Sequence, residues 1–189
     1  RARRRGRTVN DVVIVGMGRM GQIVSQPLLA RGHSLSVIEK DPQMIRDADE
    51  FGFKVWYGDG TRLDVLRAAG AGNASIIIVV PDDKEAVTRI TELAKAEFPM
   101  VPVLARAFDR EHALELVQHG VDYQMRETLQ SAFAMGREAL IRLGDDDEVA
   151  DEVMADIRNR DAERFELECV GGLSAGVALI LSNRNTSPD

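Results

Sequence analysis

Residues 12–21 read VVIVGMGRMG, an apolar run that leads directly into three glycines spaced as GxGxxG. Gly16 permits a tight turn after a strand, Gly18 lets a phosphate approach the main chain, and Gly21 lets the next helix pack closely on the sheet. A helix predicted from Arg19 would direct its free amides and positive end toward an anion. The stretch therefore predicts the strand, turn and helix that begin a dinucleotide-binding domain.

Short apolar runs continue to alternate with amphipathic segments as far as residue 143. This pattern predicts an α/β fold, doubly wound and Rossmann-like, with a mainly parallel six-stranded sheet. Asp41 is expected to cap the second helix and Thr61 the third. The predicted strands are 11–15, 34–39, 53–57, 75–80, 101–107 and 121–123, and the predicted helices are 19–31, 42–51, 61–69, 82–97, 109–119 and 127–143. The IIIVV run of the fourth strand predicts burial on both faces, near the middle of the sheet.

The pattern changes after residue 143, which predicts three regions along the chain. Residues 1–8 contain RARRRGR and begin without methionine, so we expect a basic linker in a longer chain, either disordered or beside a membrane span. Residues 9–143 form the nucleotide-binding domain. Residues 144–189 form a C-terminal helical extension with a polar tail, in which we expect an acidic loop, an amphipathic helix and a short strand at 166–170.

Composition excludes several classes of protein. The 189 residues carry a formal net charge of -7 and include a single cysteine, Cys169. Because the chain is acidic, nucleic acid is not an expected partner. One cysteine can form neither an internal disulfide nor a metal site of several thiolates. No segment approaches the roughly 20 apolar residues that a membrane span requires.

Glu39 ends the second predicted strand, 23 residues after Gly16. A carboxylate at this place can accept hydrogen bonds from both ribose hydroxyls, which favours NAD(H) or AMP over NADP. The sequences GDGT at 58–61 and VPD at 80–82 end the third and fourth strands at the same edge of the sheet. Ligands bind at that edge in open α/β sheets, so we expect both segments to line the nucleotide site.

Groups suited to catalysis are missing from the sequence. A dehydrogenase needs a proton-transfer group beside the nicotinamide. His33, His112 and His119 are each expected to be solvated, and neither a Ser-His-Asp nor a Tyr-x-x-x-Lys arrangement stands out. The sequence therefore favours a binding domain that is not an enzyme. Arg106 lies in the apolar run VPVLARAF, where an anionic ligand, a partner subunit or an internal salt bridge could hold it.

Several longer motifs resemble those of a known family. In chain order these motifs are GMGRMGQ, VIEKD, YGDGTR, IIIVVPDDKEAV, VLARAFDREHALELVQHGVD and RETLQSAFAMGREAL. Together they resemble the regulatory nucleotide-binding domain, of RCK or TrkA-N type, of bacterial potassium transport systems. The resemblance is greatest to the C-terminal cytosolic domain of Kef-type potassium/proton antiporters, and it covers residues 9–143.

This resemblance implies a cytoplasmic domain of a bacterial inner-membrane protein, which gates the transport of potassium or another monovalent cation against protons. Its implied partners are a nucleotide, NAD(H) or AMP, a second copy in a homodimer, and the membrane transport domain of the same longer chain. The residues expected at the nucleotide are Gly16, Met17, Gly18, Arg19, Met20, Gly21, Glu39, Lys40, Gly58, Asp59, Gly60, Thr61, Val80, Pro81 and Arg106.

Some residues depart from the family pattern. In the glutathione-responsive members the arginine at the position of Arg106 belongs to the glutathione site, but Phe108 replaces a basic residue of that motif. The segment after Gly144 also differs from glutathione-gated tails, so these departures argue against glutathione control. Two alternatives stay open: the cofactor domain of an NAD-dependent oxidoreductase without its substrate domain, and a free-standing regulatory subunit of a potassium channel or transporter.

Overall fold

The computed structural model describes residues 11–45 and 54–176. The strands are β1 (Val12–Val15), β2 (Leu35–Glu39), β3 (Lys54–Tyr57), β4 (Ile76–Val79), β5 (Val103–Ala107) and β6 (Tyr123–Arg126). The helices are α1 (Arg19–Ala30), α2 (Leu63–Ala68), α3 (Lys84–Glu97), α4 (Arg110–Gln118), α5 (Leu129–Leu143) and α6 (Asp147–Gly171), with short 3₁₀ helices at Ala71–Asn73 and Leu173–Gly176. The predicted linker, most of the second predicted helix and the polar tail lie outside the described residues.

All six strands form one parallel sheet in the order β3-β2-β1-β4-β5-β6, which confirms the predicted Rossmann-like fold. Val15 at the end of β1 is in register with Ile38 of β2 and Val79 of β4. The carboxyl ends of these three strands therefore lie at one edge. Strand order reverses between β1 and β4, and such a reversal leaves a crevice where ligands bind.

Both faces of the central strands are buried, as expected for a sheet with helices on each side. Val12 and Ile14 belong to a core cluster on one face, against which Val24 and Leu28 of α1 pack. Val13 and Val15 alternate with them and are equally buried, at 0% and 3% exposure. Since β4 lies between β1 and β5, its predicted central position is also confirmed.

The described residues divide into two compact units. One comprises the residues up to 107 together with 119–125, and it contains the sheet apart from the last residue of β6, with α1, α2 and α3. The other comprises 108–118 and the residues from 126 onward, and it contains α4, α5 and α6. No helix in the described ranges is long and apolar enough to cross a membrane.

In the second unit a charged network connects α6 with α4 and with the end of β6. Asp161 of α6 forms ion pairs with both Arg110 and Arg126. Arg110 also donates a hydrogen bond from Nη1 to Oε2 of Glu168, at 3.0 Å. The ring of Phe165 lies 5.9 Å and 5.5 Å from the guanidinium carbons of Arg110 and Arg126. Since Glu168 is 2% exposed, the network lies largely out of water.

Two predictions for the C-terminal extension are wrong. The acidic segment is not a loop beyond Asp146, because that carboxylate accepts a hydrogen bond from the amide of Val149 at 2.9 Å and caps α6. Acidic residues in the first turn of a helix are favoured by the helix dipole, and α6 has Asp147 and Glu148 there. The strand predicted at 166–170 is instead the last part of α6, where Glu168 pairs with Arg164 one turn earlier.

Candidate functional site

The glycine loop, residues 16–18, follows β1 in a conformation that requires glycine. Gly16 has a φ of 95°, in the left-handed region. A Cβ added there would lie 2.8 Å from the backbone nitrogen of Pro81, so the loop also needs the missing side chain for space. The amide of Gly16 donates a hydrogen bond to the carbonyl of Ile38 at 2.9 Å, which fixes the loop against the end of β2.

Helix α1 begins immediately after the loop, with Gly18 as its N-cap. Glycine offers no side chain to cap the helix, and the first turn of α1 contains no acidic residue. The positive end of α1 is therefore not neutralised by its own first turn, as a site for an anion requires. A Cβ added at Gly21 would lie 2.2 Å from the carbonyl oxygen of Gly16, which shows how closely helix and loop pack.

Glu39, at the end of β2, is hydrogen-bonded directly to the glycine loop. Its Oε2 accepts from the amide of Met17 at 2.7 Å. Its Oε1 accepts from the amides of Lys40 and Asp41, at 2.8 Å and 2.9 Å. These bonds hold the carboxylate at the edge of the sheet, and an ionised carboxylate can still accept further hydrogen bonds, such as those from ribose hydroxyls.

The GDGT segment forms a turn after β3, but Thr61 does not cap α2. Asp59 Oδ1 accepts from both the amide and the hydroxyl of Thr61, at 2.9 Å and 2.8 Å. The N-cap of α2 is instead Arg62, without a side-chain bond. The prediction for Thr61 is wrong because Asp59, two residues earlier, takes its hydroxyl in a local turn. These bonds from the amide and hydroxyl of Thr61 lower the pKa of Asp59 and keep it ionised.

A cavity of about 290 Å³ opens at this edge, beside the glycine loop. Eight of the predicted residues line it: Gly16, Gly18, Glu39, Lys40, Gly58, Asp59, Gly60 and Pro81. The other seven, Met17, Arg19, Met20, Gly21, Thr61, Val80 and Arg106, are not among its lining residues. The lining also includes Met44, Asp83, Ala86 and Ile90, which were not predicted. The position of Asp83, between β4 and α3 and directly before the helix, was a signal available in the sequence.

Acidic side chains dominate the charge of the cavity. Among the described residues five carboxylates line it, those of Glu39, Asp41, Asp59, Asp82 and Asp83, beside the one ammonium of Lys40. Carboxylates accept hydrogen bonds and repel anions. The cavity is therefore suited to a ligand with several hydroxyl or amino donors and few negative charges.

Arg106 is held by an internal salt bridge, one of the three possibilities that the sequence leaves open. Its side chain is 7% exposed and forms an ion pair with Asp82. Its Nη1 also donates to the carbonyl of Pro81 at 3.2 Å. Arg106 thus connects the end of β5 with the segment that follows β4, behind the rim of the cavity.

The histidines do not contribute to the cavity. His33 is about half exposed, 3.7 Å from Asp11, and His119 is about one third exposed. His112 is fully buried, so the prediction that it is solvated is wrong. Its Nδ1 accepts a hydrogen bond from the amide of Phe108 at 3.0 Å, which explains how a buried imidazole is stabilised near the start of α4.

A family model for the TrkA-N domain matches residues 12–127. The chain therefore belongs to the TrkA-N domain family, and the resemblance inferred from the sequence is confirmed. This family assignment fits the parallel sheet, the glycine loop and the cavity at the end of β1.

The relatives identify a branch of the family. A glutathione-regulated potassium-efflux system protein of Haemophilus influenzae is 42% identical over 165 residues, which are 87% of this chain and 27% of that protein. The KefC protein of Salmonella arizonae is 43% identical over 133 residues, which are 70% of this chain and 22% of that protein. The chain thus spans about a quarter of the length of these curated relatives.

A solved structure resembles almost the whole described chain. The C-terminal domain of a Kef protein from Shewanella denitrificans, in an AMP-bound form, is 36% identical and superposes with a TM-score of 0.77. The match covers 84% of this chain and 96% of that one. The chain is accordingly a homologue of Kef C-terminal domains.

Proposed function

We propose that this chain is a nucleotide-sensing regulatory domain of a Kef-type potassium efflux protein, and that it binds AMP or NAD(H). The observation that carries the proposal is the convergence of the glycine loop, Glu39 and Asp59 on one cavity at the reversal point of the sheet. The AMP-bound form of the Kef C-terminal domain from Shewanella denitrificans supports the choice of ligand.

The ribose would bind between the ends of β2 and β3. Glu39 and Asp59 both line the cavity there, and Asp59 is kept ionised by the hydrogen bonds from Thr61. Each carboxylate has acceptor capacity for a hydroxyl group. A phosphate on the 2′ oxygen would bring negative charge beside them, so a ligand with a free ribose is favoured.

The base and the phosphate would occupy opposite parts of the cavity. Ile38, Met44 and Ile90 supply apolar lining that suits a flat aromatic base. The phosphate would lie at the glycine loop and the start of α1, where Met17, Arg19 and Met20 provide main chain. Gly58 and Gly60 would shape the walls, and Lys40 would supply the positive charge among the lining residues.

The regulatory part of the proposal concerns the longer protein. We infer a basic linker at 1–8, a nucleotide-binding domain at 9–143 and an extension at 144–189, on the cytoplasmic side and joined to a membrane transport domain. The curated relatives are potassium-efflux proteins about three times as long as this chain, which supports that arrangement over an oxidoreductase fragment or a free-standing subunit.

Helix α5 is the proposed dimer surface. It has 15 residues, none of which is buried, although Met135 and Leu143 are large and apolar and are 75% and 83% exposed. A second copy of the chain would cover this surface. To regulate transport, the nucleotide must bind one arrangement of the dimer more tightly than the other, because equal affinity shifts no equilibrium.

The ligand is tested by thermal unfolding with AMP, NADH, NADPH, ATP and glutathione. Binding to the folded state raises the melting temperature. We expect AMP and NADH to give the largest shifts, since NADPH and ATP bring more negative charge to the acidic cavity. Glu39→Gln should weaken AMP binding about tenfold or more, because hydrogen bonds to a charged group contribute ~1.5–3 kcal/mol.

Glu152→Gln is the matched control, because Glu152 is an exposed residue of α6 that does not line the cavity. It removes the same charge and should leave AMP binding unchanged. A larger shift with NADPH than with NADH in the wild-type protein would contradict the role of Glu39. Sedimentation of the chain with and without Leu143→Glu tests whether α5 forms the dimer.

A further inference from the structure

Asp82 lies on the open side of the glycine loop. Its Oδ2 and Oδ1 are 3.7 Å and 4.0 Å from the position that a Cβ would occupy on Gly18, the N-cap of α1. The positive end of a helix attracts anions to this place. A carboxylate of the protein itself therefore lies where the phosphate of a nucleotide would approach the main chain.

The same carboxylate is paired with a buried cation. Arg106 reaches Asp82 from β5 with a side chain that is 7% exposed, whereas the side chain of Asp82 is 68% exposed. Arg106 is also fixed by its bond to the carbonyl of Pro81, at 3.2 Å. In this pair Arg106 is held in place, whereas the exposed side chain of Asp82 can rotate toward solvent.

We propose that Asp82 acts as an internal anion that competes with the ligand's phosphate for the glycine loop. This inference rests on the proposed nucleotide site. When a phosphate binds, Asp82 turns outward, since two anions a few ångströms apart repel each other. Arg106 then faces the phosphate in place of the carboxylate, and a guanidinium binds either group well.

Asp82 is accordingly a specificity-determining residue. Part of the attraction between the loop and a phosphate is offset by the work of displacing Asp82. A ligand without a phosphate, such as adenosine, bears no charge that Asp82 opposes. The residue thus sets how strongly binding depends on the phosphate, while Glu39 and Asp59 act on the ribose that AMP and adenosine share.

The test compares the dissociation constants of AMP and adenosine, measured by calorimetry, for the wild-type chain and Asp82→Asn. Asparagine keeps the size of the side chain and an oxygen that Arg106 can donate to. We expect AMP to bind about tenfold more tightly to the variant, which corresponds to ~1.4 kcal/mol. Adenosine should bind equally well to both proteins.

Asp83→Asn is the matched control. Asp83 lines the same cavity and caps α3 by accepting from the amide of Ala86 at 2.7 Å, a role that asparagine can fill. It removes the same charge one residue further along, and it should change the affinity for AMP much less than Asp82→Asn does. Equal tightening in both variants would show a general charge effect and would overturn the proposal.

Three further outcomes would also overturn it. If Asp82→Asn leaves AMP binding unchanged, the carboxylate does not oppose the phosphate. If the variant weakens AMP and adenosine alike, Asp82 accepts a hydrogen bond from the nucleoside instead. Failure of the wild-type chain and the variant to bind either ligand would refute the nucleotide site itself, and the proposal with it.

Discussion

Gly21→Ala separates the effect of close packing from that of helix propensity. Gly21 lies in the first turn of α1, and alanine stabilises a helix by ~0.8–1.0 kcal/mol relative to glycine. The structure instead predicts that Gly21→Ala destabilises the protein, because the added Cβ would lie 2.2 Å from the carbonyl oxygen of Gly16. The loop cannot yield easily, since the amide of Gly16 donates a hydrogen bond to the carbonyl of Ile38 and a Cβ built on Gly16 would already lie 2.8 Å from Pro81.

The magnitude follows from the shift that this contact requires. Helix and loop must separate by roughly 1 Å, and overpacking of this kind costs ~1–3 kcal/mol. After the gain in helix propensity is subtracted, Gly21→Ala should lower the free energy of unfolding by up to about 2 kcal/mol. It should also weaken nucleotide binding, because the displaced loop is the proposed phosphate site.

Gly136→Ala, in the middle of α5, is the matched control. A Cβ at Gly136 would lie 3.8 Å from the sulfur of Met154, an ordinary contact. This variant should therefore be more stable than the wild-type protein, by up to ~1 kcal/mol. The free energy of unfolding of both variants is measured by urea titration, followed by circular dichroism. The midpoints are compared only if the slope of the unfolding free energy against urea concentration is the same. Equal stability of Gly21→Ala and Gly136→Ala would refute the packing argument.

Two charged groups give further predictions. Lys95, at 2.8 Å, and the amide of Val103, at 2.7 Å, lower the pKa of Asp122. Asp122→Asn should therefore lower the free energy of unfolding by ~1 kcal/mol at neutral pH. The difference from the wild-type protein should vanish as the pH falls through the lowered pKa, because Asp122 of the wild type is then protonated as well. Urea unfolding at several pH values measures this difference. Asp161→Ala removes the carboxylate shared by two guanidiniums that are only 16% and 13% exposed, and it should lower the free energy of unfolding by ~3 kcal/mol, with faster hydrogen exchange in α6. The exposed Asp156→Ala should cost ~0.5 kcal/mol or less, and equal losses would contradict the importance of burial.

The fold could be predicted because its determinants are local. Strands such as IIIV in β4 are continuous apolar runs, and parallel sheets of this kind bury both faces of their central strands. The first and last residues of strands and helices were less predictable where a residue far away in the sequence contacts them. β6 begins at Tyr123, later than predicted, and Asp122 immediately before it accepts a hydrogen bond from the amide of Val103. The helix through 166–170 likewise has a distant partner, because Glu168 forms an ion pair with Arg110 of α4.

The candidate site could be predicted where main-chain geometry defines it. Gly16 and Gly21 each occupy positions that any side chain would obstruct, and such positions restrict the sequence to glycine. Side-chain partners were harder to predict, since a buried arginine requires an acceptor but does not identify it. Asp82 and Arg106 are 24 residues apart, and they meet only because β4 and β5 are parallel neighbours. The sequence alone left three partners for Arg106 open.

The charges around the glycine loop determine what kind of ligand could act as a signal there. The loop and the start of α1 attract an anion, but Glu39 and Asp82 already lie beside them. A ligand with many phosphates would be repelled by both carboxylates. A ligand without a phosphate would not be attracted by the positive end of α1. The arrangement therefore favours a nucleotide with one phosphate group near the loop and free ribose hydroxyls. AMP and the AMP half of NAD(H) have these properties, which links the proposed sensing function to the same few side chains.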